Sequence, residues 1–315
     1  MRASGGTALV ASLVITAVLW LLPAAHAGSV EPPRQVGGVI AFGCDCGTFL
    51  PRATIVWSGG RVRIRGDVGA RWSPDGRWFA YGQGGITLQS AVDASITQTL
   101  THPPRMNGAA GNDGEPAWFP SGKRLVFVRG SVGTQWGALW TVGSDGSGAK
   151  RLEAVPATAK VTLGDPDVSH DGRRIAFGDS NGHLWVTGQR GLTVWRLGPA
   201  GLNGSNPRWS PDDTRIAFLD AGQTLSVLDL RTNKIHDLGA GTPSIAPDGY
   251  YGDGDFSWSP DGRYLAGSTN ASWECNDPTG PCTSMELWII NATTGAAHLI
   301  YQTPDGGDIG GVDWH

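Results

Sequence analysis

Short apolar runs recur along this chain, each preceded by the same kind of polar turn. Arg71–Gly82 reads "RWSPDGRWFAYG". Related stretches follow as "AWFPSGKRLVFV" at 117–128, "DVSHDGRRIAFG" at 167–178, "RWSPDDTRIAFL" at 208–219 and "SWSPDGRYLAGS" at 257–268. Aligned on Trp72, Trp118, Val168, Trp209 and Trp258, the copies begin 41 to 50 residues apart. Self-similarity at such a period marks a repeat architecture. The runs are rich in Val, Ile, Leu and aromatic residues and too short for helices, which suits half-buried strands. In the turns, Pro presets φ, Asp bonds the backbone ahead and Gly accepts a positive φ.

Each unit is predicted to hold four strands. In the second, strand A ends at Trp118, B spans Arg124–Val128, C spans Ala138–Val142, and "SDGSG" leads into D at Lys150–Leu152. A unit this small cannot bury both its faces alone, so the units are expected to stack around an axis. A sixth copy begins in "GGVDWH" at Trp314, where the sequence stops. Its missing continuation stands at Ile40–Gly43 as "IAFG". The last strand, Val312–Trp314, should therefore pair with Val39–Phe42, with Ala53–Trp57 and Arg61–Gly66 as the outer strands of that blade. The predicted fold class is all-β, a six-bladed β-propeller of four-stranded blades whose closing blade is shared between the two ends of the chain. A β-sandwich would explain neither the recurring motif nor the complementary broken ends.

Trp72-Ser73-Pro74-Asp75-Gly76, Trp209-Ser210-Pro211-Asp212 and Trp258-Ser259-Pro260-Asp261-Gly262 resemble the Pro-Asp repeat of the TolB-like propellers, and "LWTVGSDGSGAKRL" at Leu139–Leu152 is similar to the second half of that unit. The resemblance covers residues 37–315 and implies the fold. The motif residues are structural, so it implies little about function. The N-terminal domain that TolB carries before its propeller has no counterpart here, and four cysteines are additional. Membership of the Tol–Pal system therefore does not carry over.

In such a ring the A–B and C–D turns share one face, and the B–C and D–A loops share the other. The second face holds the long, variable segments 101–117, 239–256 and 270–284, and variable loops on a rigid scaffold are where binding residues usually sit. Acids precede strand A in register. Three residues before the alignment position stand Glu115, Asp165, Asn206 and Asp255; two further back stand Asp67, Asp113 and Asp253. Asp113, Glu115, Asp165, Asn206, Asp253 and Asp255 are thus candidate ligand-binding residues at the channel mouth, where convergent oxygens would hold Ca²⁺ or attract a cation. Each also reads as an ordinary turn former. Tyr250, Tyr251 and Trp273 are candidate partner contacts, or aromatics packed under their own loops.

Composition adds constraints. Among 315 residues there are 48 Gly and 20 Pro with only 17% charged residues, which favours many strands and turns. The net charge of −4 is interspersed, and without a basic stripe no nucleic-acid partner is expected. Catalytic motifs are missing: there is no Gly-x-Ser-x-Gly, His-x-His or His-Glu-x-x-His. Arg2, the apolar run Ala8–Leu22 and "AHA" at 25–27 read as a signal peptide over 1–27, followed by a linker at 28–36. Cleavage there would leave an exported chain with no membrane span, expected to act as a monomer. Export would let Cys44, Cys46, Cys275 and Cys282 form disulfides. Cys275–Cys282 is expected to close its own loop, and Cys44 and Cys46 either pair locally or cross-link to it. Their spacing is not that of a usual zinc site.

The reading is a non-catalytic scaffold that binds a protein or peptide through the D–A/B–C face and needs no cofactor, apart from the Ca²⁺ its channel mouth could take. The alternative is a metal-dependent hydrolase or lyase of small molecules at the same mouth.

Overall fold

The computed structural model describes residues 39–45, 53–58, 61–65, 71–105, 108–131, 137–152, 163–239, 256–273, 282–302 and 308–315. All the regular structure among them is strand. No helix there is long and apolar enough to cross a membrane. The proposed signal peptide and linker lie outside the described residues.

Among the described residues, twenty-four strands form six four-stranded antiparallel sheets. β1 (Ile40–Asp45), β2 (Ala53–Ser58) and β3 (Arg61–Arg65) form one sheet with β24 (Asp308–Trp314), and are blade VI. Blade I is β4 (Arg71–Trp72), β5 (Trp78–Gln83), β6 (Gly85–Ser90) and β7 (Thr97–Thr99). Blade II is β8 (Gly111–Trp118), β9 (Arg124–Ser131), β10 (Ala138–Gly143) and β11 (Lys150–Arg151). Blade III is β12 (Leu163–Val168), β13 (Arg174–Asp179), β14 (Leu184–Gly188) and β15 (Val194–Arg196). Blade IV is β16 (Gly204–Trp209), β17 (Arg215–Asp220), β18 (Leu225–Asp229) and β19 (Lys234–Asp237). Blade V is β20 (Phe256–Trp258), β21 (Tyr264–Trp273), β22 (Cys282–Asn291) and β23 (Ala297–Gln302).

The expected closure is present: Ile40 pairs with Trp314 and Ala41 with Asp313. Each first strand meets the first strand of the next blade, or the second strand of the blade before it, and β24 touches both β20 and β4, so the sheets close into a ring. The apolar core lies in layers between blades. Ala80, Ile86 and Leu88 of blade I pack on Leu125, Phe127 and Val142 of blade II. Ala176, Leu184 and Val186 of blade III pack on Trp209, Ile216 and Phe218 of blade IV. Full burial of each valine, leucine, isoleucine or phenylalanine among them contributes about 1.5–3 kcal/mol. The layers exist only because neighbours stack.

The repeated turn is a hydrogen-bonded unit. Ser73 Oγ donates to Asp75 Oδ1 at 2.6 Å and accepts from the Trp78 N–H at 2.9 Å, while Gly76 takes φ 68°. Ser169–Asp171, Ser210–Asp212 and Ser259–Asp261 repeat the serine–aspartate bond. Where the other turns have Gly at the fourth position, blade IV has Asp213 at φ 57°. Its carboxylate accepts the N–H groups of His170 (2.7 Å) and Asp171 (2.8 Å), which ties the blade III turn to blade IV.

Candidate functional site

Glu115, Asp165 and Asn206 hold equivalent places in the innermost strands of blades II, III and IV. All three are left-handed, at φ 51°, 53° and 55°. Each lies in a β-bulge: the register slips between Gly114 and Ala117, between Gly164 and Asp167, and between Ser205 and Arg208. Two residues on the inner strand, the left-handed one and a following proline, thus oppose a single buried phenylalanine, Phe127, Phe177 or Phe218. Asn and Asp tolerate this conformation better than most side chains. The alignment of these polar residues from blade to blade therefore has a backbone cause, which periodicity alone did not reveal.

The bulges bring neighbours together. The Asp165 N–H donates to Glu115 Oε2 at 2.6 Å across the seam between blades II and III. Glu115 is half-buried, while Asp165 and Asn206 are buried. Asp113 is fully buried and forms a bidentate pair with Arg129, Nε to Oδ1 and Nη2 to Oδ2, both at 2.6 Å. That guanidinium also lies 4.4 Å over the Trp140 ring. The charge of Asp113 is thereby met inside its own blade. Asp67, Asp253, Asp255, Tyr250 and Tyr251 lie outside the described residues, as do Cys46, Cys275 and the side chains of Trp273, Cys44 and Cys282. Among the described residues no three His, Cys, Asp or Glu side chains form a metal-holding group.

The same inner ring is stitched at every seam. Trp118 Nε1 donates to the Arg71 carbonyl at 3.0 Å, and Trp258 Nε1 to the Arg208 carbonyl at 3.0 Å. The Trp209 N–H donates to Asp167 Oδ2 at 2.7 Å, the Trp314 N–H to Ser257 Oγ at 3.0 Å, and the Trp72 N–H to Asp313 Oδ2 at 2.6 Å. Asp167, Ser257 and Asp313 all stand one residue before the alignment position. Sequence reasoning missed them, although a polar residue recurring just before the alignment position, which is valine in blade III and tryptophan in blades V and VI, is a visible signal.

One further group was missed. Asp179, buried at the end of β13, accepts from the His183 N–H, the Trp185 indole and His183 Nδ1, at 2.9, 2.8 and 3.2 Å. Burial pushes its carboxyl up, but these donors and the Asn181 N–H outweigh that and hold it below the ordinary range. His183 is thus oriented by a carboxylate.

TolB from Acinetobacter baumannii superposes with a TM-score of 0.65 at 16% identity, covering 90% of this chain and 67% of that one. The chain has the fold of the TolB propellers. A second structure, a putative TolB from Agrobacterium tumefaciens, gives 0.57 at 14% identity and is covered over 99% of its length by 89% of this chain. An oligogalacturonate lyase in complex with manganese gives 0.52 at 16% identity over 83% of this chain and 73% of that one. No protein-family model matches the sequence, and no curated protein does. Identities this low carry the TolB-like architecture and no activity.

Proposed function

We propose that this chain is an exported binding scaffold that engages a protein or peptide through the D–A/B–C face of its propeller. The observation that carries the reading is a set of left-handed polar residues in the inner strands. Glu115, Asp165 and Asn206 recur in three consecutive blades, with Glu115 bonded to the Asp165 backbone, and would line the mouth of that face. Non-glycine residues in this conformation cost free energy and concentrate where a site must be preorganised. Asp253 and Asp255 would extend the acidic rim into blade V, and Tyr250, Tyr251 and Trp273 would supply contact area beside it. The TolB likeness is consistent with a scaffold role. The ligand proposed is a basic peptide segment.

For a resident cation the donors on view are a poor fit. Asp113 is neutralised by Arg129, and Glu115 already accepts a backbone N–H. A metal-dependent lyase remains the second reading because a lyase bound to manganese shares the fold. Calorimetry on the mature protein separates them. Titration with cationic peptides should show binding that the Asp165→Asn/Asp255→Asn double variant weakens, and an envelope pull-down should recover the partner. Tight binding of Mn²⁺ or Ca²⁺ with no peptide binding would favour the second reading.

A further inference from the structure

Six residues after each alignment position, strand B begins with a side chain that faces the next blade. In blade III it is Arg174, whose guanidinium lies 4.3 Å over the Trp209 ring of blade IV, with Nη2 3.4 Å from the Asp213 carbonyl. In blade IV it is Arg215, 4.8 Å over Trp258 of blade V, with Nη2 donating to the Gly262 carbonyl at 2.7 Å. Each arginine thus stacks on the next blade's tryptophan and donates to the backbone four residues beyond it. Trp209 and Trp258 are only 2% and 4% exposed.

Two other seams are closed differently. Arg124 of blade II meets Val168, which has no ring. It stacks 3.9 Å over Phe119 and donates to Gln189 Oε1. In blade V the position is Tyr264, packed on the apolar cluster around Trp314.

Blade I breaks the pattern. Its residue is Trp78, which packs with Trp118 of blade II against one apolar cluster, and among the described residues no guanidinium stacks on the Trp118 ring. A cavity of about 190 Å³ stands there, lined by Trp78, Trp118, Gly122, Asp75, Gln98 and Ser144. Gly122 is the counterpart of Gly262 and Asp213, whose carbonyls accept in the other seams. Trp118 remains half-buried. Asp75 is exposed; its Oδ1 accepts from Ser73 Oγ and the Arg77 N–H, and among the described residues no donor reaches Oδ2.

We propose that this groove is a guanidinium site that takes an arginine side chain of a partner polypeptide, stacked on Trp118 beside Trp78, with the Gly122 carbonyl and Asp75 as acceptors. The molecule supplies its own template twice, in Arg174 and Arg215. The planar fork is what the slot matches, so lysine is a poor substitute. The site lies on the A–B/C–D face, opposite the acidic rim, and does not depend on it.

The test titrates N-acetyl-arginine-N-methylamide and its lysine and citrulline counterparts into the full chain, followed by the indole N–H resonances of Trp78 and Trp118. The arginine probe should shift them saturably, the lysine probe about fivefold more weakly or less, and the citrulline probe not at all. Asp75→Asn, on an exposed turn, should weaken the arginine probe about threefold to tenfold. Trp78→Arg should fill the slot from within and abolish binding. Equal affinity for arginine and lysine, no saturable shift, or binding unaffected by Asp75→Asn would overturn the proposal. Loss of peptide binding in the Asp165→Asn/Asp255→Asn variant with the arginine probe unaffected would support two separate sites.

Discussion

Replacing Asp113 by alanine separates a structural carboxylate from a ligand-binding one. The change leaves the Arg129 guanidinium, on a side chain 9% exposed, without its two 2.6 Å partners and still seated over Trp140. Removing one partner of a buried pair costs about 3–5 kcal/mol, because the remaining charge stays desolvated. For a domain of this size each kcal/mol shifts the melting temperature by about 2–4 °C, so the loss should be roughly 10 °C. Asp113→Ala/Arg129→Met should lose less than the sum of the two single changes, since no orphaned charge remains. Thermal melts followed by circular dichroism measure all three. If Asp113 instead belonged to an uncompensated acidic cluster, alanine would relieve repulsion. A single variant that melts at or above the wild-type temperature would refute the ion-pair account.

Two other outcomes follow from the ring and its turns. Removing residues 310–315 deletes the Ile40–Trp314 pairing and the Asp313 acceptor of the Trp72 N–H, so the propeller should melt earlier in a single transition; an unchanged melt would show that the ends do not close it. The turn carboxylates Asp75 and Asp171 are held below their ordinary values, chiefly by the hydroxyls of Ser73 and Ser169. A folded pKa below the unfolded one means their contribution is present above about pH 4 and lost as the pH falls through the lowered values. Melting temperature should fall on acidification, and Ser73→Ala with Ser169→Ala should flatten that slope.

The sequence by itself determined the repeat, the four-strand unit and the split blade, because turn chemistry and apolar runs are local and recur in register. In blade II the first strand ends at Trp118 and the other three begin where expected; only the ends of those three move, with β9 reaching Ser131, β10 Gly143 and β11 stopping at Arg151. The tertiary structure alone decided what the polar residues of the inner strands do. Glu115, Asp165 and Asn206 align because bulges force a left-handed residue opposite each buried phenylalanine, and a bulge is a property of two paired strands. Asp113 looked like the acids around it until β9 brought Arg129 against it. The arginines that begin strand B carry no local sign of what they touch. Their tryptophan partners lie in the next blade, some 35 to 43 residues on, and only ring closure sets that distance in space.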